Sequence, residues 1–114
     1  MARDLSFWKY KKNELIDDVE VYTKLSKGCM VEVVELLPVS EIYNEIKTIF
    51  NEWKWEGEYH LELDSQVIEL FITEQFVRFD CYNVTLDVMN TIIDIMNKYD
   101  CPLYDSAIST RFDL

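Results

Sequence analysis

The fold class this sequence predicts is α+β, an antiparallel sheet with two main helices packed on one face. Three observations predict it: a hairpin signal over 66–83, helical apolar stripes over 40–53 and 86–99, and alternating runs at 5–11 and 58–64. The hairpin is the clearest. QVIELFIT and FVRFDCYN flank the polar pair Glu74-Gln75. Ile68, Leu70 and Ile72 alternate with Val67, Glu69, Phe71 and Thr73, and Val77, Phe79 and Cys81 alternate with Phe76, Arg78, Asp80 and Tyr82. The first set on each strand is wholly apolar and marks the core side. The second mixes aromatics with charges, so binding is sought there.

The remaining elements follow along the chain. LSFWKYK over 5–11 alternates as a first strand, with Leu5 and Phe7 on one side and Ser6, Trp8 and Tyr10 on the other, so its buried side stays ambiguous. A short helix is expected over Asp18–Ser26, with Asp17, Asp18 and Glu20 at its positive end, Lys24 and Lys27 at its negative end, and Gly28 as its stop. Cys29–Leu37 fits a strand or a helical turn and stays open. In 40–53, Ser40 is the expected N-cap, and Ile42, Ile46, Ile49, Phe50 and Trp53 form one stripe. Over 58–64, Tyr59, Leu61 and Leu63 alternate with Glu58, His60, Glu62 and Asp64. Thr85 caps the helix over 86–99, Pro102 ends it, and Leu103–Ser106 returns as a last short strand. The simplest assembly is ferredoxin-like.

At 114 residues, 49% of them hydrophobic, the chain is expected to form a single globular domain over 1–114 without disulfide or metal staples. There is no apolar run near the ~20 residues a membrane helix needs. The N-terminal residues lack the pattern of a secretory signal, so the expected compartment is the cytoplasm. Three well-separated cysteines, Cys29, Cys81 and Cys101, read as reduced and mostly buried thiols.

Charge narrows the function classes. Twenty-two acidic residues face eleven basic ones, a net charge of −11. Arg3, Lys9, Lys11 and Lys12 sit near the N-terminus, which leaves 21 acidic against 7 basic residues from 13 onward. Such a chain is repelled by nucleic acid and anionic membranes and attracted to basic partners. Two glycines build no phosphate loop, and no nucleophile–histidine set shows recognisable spacing. Glu58, His60 and Glu62 fall at i, i+2 and i+4 on one strand face. With a single histidine and no cysteine nearby, the expectation is a solvated polar row, with no metal and no cofactor. Paired carboxylates are abundant, but with 22 acids their proximity carries no catalytic signal, and the chain is expected not to be an enzyme. Recognition remains. Exposed acids beside aromatics give a cationic partner both steering and anchors, and the expected binding residues are Glu58, Glu62, Asp64, Glu69, Phe71, Asp80 and Tyr82. Arg78 is expected to pair internally with Asp80 or Glu69.

DLSFWKYK near the start, FVRFDCYN in the middle and CPLYDSAISTRFD near the end resemble small bacterial proteins of polymorphic-toxin loci, in particular immunity proteins of contact-dependent growth inhibition systems. The resemblance spans about a third of the chain and contains no catalytic motif. It implies a cytoplasmic antitoxin that binds and neutralises a cognate toxin domain, a basic nuclease in the reading that charge favours, by covering its active site. The alternative is a self-associating structural or small-ligand-binding module, and the residues leave monomer and dimer undecided.

Overall fold

The N-terminal run lies inside the sheet, not at its edge. The computed structural model describes residues 2–12 and 16–112. In chain order the elements are β1 (Ala2–Phe7), α1 (Asp18–Ser26), α2 (Val39–Ile49), β2 (Lys54–Trp55), β3 (His60–Leu63), β4 (Gln66–Ile72), β5 (Val77–Tyr82), α3 (Leu86–Asn97), β6 (Leu103–Asp105) and β7 (Thr110–Arg111). The seven strands form one antiparallel sheet in the order β2-β3-β4-β5-β1-β6-β7. This is the predicted α+β class. The inner four, β4-β5-β1-β6, have the strand order and alternating directions of the ferredoxin-like assembly. β2, β3 and β7 extend it at both edges.

Helices α2 and α3 cover one face, as expected. They bury Ile42, Ile46, Ile92, Ile95 and Met96 against Leu5 and Phe7 of β1, Ile68 and Leu70 of β4, and Val77, Phe79 and Cys81 of β5. Thr85 caps α3 by accepting from the Val88 amide at 3.3 Å. Helix α2 departs from its predicted bounds at both ends. Pro38 holds the N-cap position without a side-chain bond, and Ser40 lies in the first turn. The helix stops at Ile49 because the chain must reverse into β2. The Trp55 indole donates to the freed Phe50 carbonyl at 3.0 Å, satisfying one group that a helix end leaves open. Phe50 and Trp53 stay buried beyond the last turn, whereas Ile49 of the predicted stripe is 41% exposed.

A second, smaller core lies on the opposite face, where an open surface was expected. Helix α1, capped by Asp17, packs Val21 and Leu25 over Trp8, Phe76 and Tyr104, and Tyr22 stacks on Tyr104 at 4.9 Å. The first strand is shifted to Ala2–Phe7, but the alternation beyond it persists in burial. Leu5 and Phe7 enter the first core and Trp8 the second. Segment 29–37 is neither strand nor helix. It crosses the end of the sheet, bonded to Lys9 and Lys11 through Glu35 and Val33, with a single bridge between Tyr10 and Val34. The Gln75 side chain, only 4% exposed, accepts from the Val31 amide and donates to the Val31 and Val34 carbonyls, all at 2.8 Å. One turn residue thus ties the β4–β5 loop to this segment.

Two of the three cysteines are buried core residues, and burial pushes the Cys81 and Cys101 thiols up to about 12. The expectation of mostly buried thiols is met by these two, and Cys29 is the exception, exposed just after α1. Thiol titration with an aromatic disulfide reagent is expected to find one reactive group in the native protein and three in denaturant. Three fast thiols under native conditions would contradict this core.

Candidate functional site

The second face of the sheet is ordered by register into rows that run across the strands. His60, Glu69, Asp80 and Asp4 form one row across β3, β4, β5 and β1. Glu62, Val67 and Tyr82 form the row beside it, and Phe71, Arg78, Ser6, Tyr104 and Arg111 the row on the other side. Helix α1 divides this surface. It covers the β1–β6 part and leaves the β3–β4–β5 part uncovered by any helix among the described residues.

Under α1 the polar groups serve the fold. Asp4 accepts hydrogen bonds from the Tyr22 hydroxyl and the Ser106 hydroxyl. Burial by itself would raise the Asp4 carboxyl, but these two bonds and the Arg78 charge together hold it below its ordinary value. Tyr10 donates to Asp18, fixing the start of α1. On the opposite face, beside Leu5, Asp105 is almost fully buried, pairs with Arg3 and accepts from the Ala107 amide at 3.0 Å.

The uncovered strip holds five of the seven residues singled out in the sequence. Glu62, Glu69 and Tyr82 present their side chains there, with Tyr82 39% exposed. Asp80 and Phe71 lie on the same strip but are engaged. Arg78 donates from Nε and a terminal nitrogen to both Asp80 oxygens at 2.9 and 3.3 Å, and its guanidinium sits 4.8 Å over the Phe71 ring. The internal pairing expected of Arg78 is therefore found, with Asp80 as its partner.

Glu58 and Asp64 fall outside the strip. Asp64 occupies the two-residue turn between β3 and β4 with φ at 55°, a left-handed conformation that aspartate tolerates. Glu58 lies in the loop 57–59, which opens on Gly57 at φ 79°, and its carbonyl accepts from the Tyr43 hydroxyl. Strict alternation fails at these two positions because both are turn residues, outside the ladder.

In place of Glu58 the structure brings in Glu56, which the alternation over 58–64 does not reach. Its amide donates to the His60 carbonyl at 2.9 Å, so Glu56 stands opposite His60, as Lys54 stands opposite Glu62. Gly57 is the sequence cue that could have found it, since a tight loop there folds residue 56 back beside residue 60. Lys54 pairs with Glu56 at 3.1 Å.

A groove of about 620 Å³ opens on the helix-covered face near the ends of β1 and β5, lined in part by Arg3, Asn83, Thr85 and Met89. Its polar side chains are occupied within the fold. Arg3 pairs with Asp105, Asn83 bonds to Ser65, and Thr85 caps α3. The polar side chains of the groove thus serve the fold, whereas on the strip Glu62 and Glu69 meet the imidazole of His60 at 3.3 and 3.6 Å and keep much of their surface open. No helix of the described residues is long and apolar enough to cross a membrane. No family model, curated protein or solved structure matches the chain.

Proposed function

We propose that this chain is a non-enzymatic immunity protein of the cytoplasm that neutralises a cognate basic toxin domain, a nuclease, by docking the uncovered strip of its second sheet face over the toxin's active site. One observation carries the reading. Glu69 stands exposed and Glu62 half-exposed on the same strip as Tyr82, while its cations Arg78 and Lys54 are paired with Asp80 and Glu56. A basic surface made to hold phosphates finds there carboxylates for steering and a tyrosine for contact area. The net charge of −11 extends the attraction beyond the contact. The binding set is accordingly Glu62, Glu69 and Tyr82. Asp80 and Phe71 act through Arg78, and Glu58 and Asp64 lie at the periphery.

The test is a toxin domain encoded beside this chain, mixed with it in stopped flow. Association is expected to slow steeply between low and physiological ionic strength. The double substitution Glu62→Lys and Glu69→Lys is expected to slow it at least tenfold more and to abolish protection of toxin-expressing cells. Circular dichroism should stay that of the parent protein, because both side chains are solvent-facing. Full protection by the double variant would move the interface off this strip.

A further inference from the structure

The β2–β3 hairpin sets Lys54 opposite Glu62 and, one step nearer the loop, Glu56 opposite His60. The geometry points to a binding site for one divalent transition-metal ion, with Glu56, His60 and Glu62 as ligands and Glu69 as the carboxylate that orients the imidazole. One donor atom from each ligand lies within 4.8 Å of the others. Tetrahedral donors around zinc are about 3.4 Å apart, so closure asks for movements on the order of 1 Å, within reach of half-exposed glutamates.

Three further observations support it. First, the imidazole faces carboxylates on both sides. Nε2 is 3.3 Å from Glu62 and Nδ1 is 3.6 Å from Glu69. A ligating histidine commonly holds a carboxylate behind its other nitrogen, which fixes the tautomer and strengthens the ligand. Second, Glu56, Glu62 and Glu69 surround the imidazole, and the one ammonium paired among them, Lys54 on Glu56, leaves a deficit of two charges that a divalent ion would match. Third, the frame is fixed. His60 and Glu62 flank Leu61, which is fully buried, and the loop between Glu56 and His60 is bonded to α2 through Tyr43. Mixed nitrogen and oxygen donors select zinc, cobalt, nickel or copper over calcium or magnesium, which take oxygen alone. Three protein ligands leave a fourth position to water or to a partner's side chain.

The site rests on residues of this chain alone, so its test is independent of any toxin. Zinc is titrated into the untagged full chain by calorimetry, on a Cys29→Ser background to remove the exposed thiol. One ion per chain is expected. His60→Ala, Glu56→Gln and Glu62→Gln should each weaken binding at least tenfold, as should Glu69→Gln, whereas Glu58→Gln should leave it unchanged. Lys54→Met should tighten it by removing the competing ammonium. Absence of binding, binding indifferent to Glu56→Gln and His60→Ala, or dependence on Glu58 would each overturn the site. Thermal melts of every variant without metal should match the parent, which separates lost ligation from lost fold.

Discussion

Truncating Trp8 to alanine is expected to lower the stability of the fold by about 3–5 kcal/mol, the range for removing a large buried aromatic. The indole is fully buried and is the hub of the second core, with ring centroids of Tyr104, Phe76 and Tyr10 at 5.1, 6.2 and 6.1 Å. Arg111 closes over it, its guanidinium 5.3 Å from the ring and donating to the Trp8 carbonyl at 2.9 Å. Removing the ring therefore opens a void between α1, the sheet and the last strand at once. Against a typical total of about 5–15 kcal/mol, such a loss takes a large share. Urea denaturation measures it, and amide exchange over 18–26 should accelerate most, because α1 docks on this cluster. Trp8→Phe should cost clearly less. An alanine variant within about 1 kcal/mol of the parent would show that the second core is incidental to stability.

Replacing Gln75 by leucine is expected to cost about 3 kcal/mol. Leucine approximates the volume but strands the Val31 amide and the Val31 and Val34 carbonyls, each worth about 1–3 kcal/mol when left unsatisfied. Part of the sum is recovered because Val31 is only half-buried and water reaches it. The neighbouring Glu74 supplies the contrast. Its side chain is exposed, so Glu74→Gln should stay within about 0.5 kcal/mol of the parent. The fold keeps Glu74 for its carbonyl, which accepts from Leu37 at 2.8 Å, and that bond survives the substitution. Equal midpoints for the two variants would argue against the side-chain tie.

What the sequence made legible is the part governed by local periodicity. The two faces of β4 and β5, the Thr85 cap and the stripe of α3 are found as their spacing predicts, since each faces one core and water. The first strand resisted assignment because it has no solvent side: Phe7 and Trp8 enter different cores, so alternation cannot name a buried face. Segment 29–37 resisted because its partners, Lys9, Lys11 and Gln75, lie far along the chain and hold it through backbone groups that any sequence has. The coverage of half the second face by α1 follows from the same second core. In the site, Glu62, Glu69 and Tyr82 were legible from strand parity. The retirement of Glu58 and the entry of Glu56 depended on where the loop at Gly57 turns.

The position of β1 also gives the fold contacts of large sequence separation. The β3–β4–β5 meander joins neighbours in sequence and can close early, across turns of two to four residues. β1 is different: it waits for β5 on one side and β6 on the other, and its ties from Arg3 to Asp105 and from Asp4 to Ser106 each span 102 positions. Leu5 and Phe7 meet β5 on one side, while Trp8 completes its contacts only against Tyr104 of β6. Contacts of such separation slow the search for the native state. Docking β1 between β5 and β6 therefore joins parts of the sheet that lie far apart in sequence, and this raises the contact order of the fold.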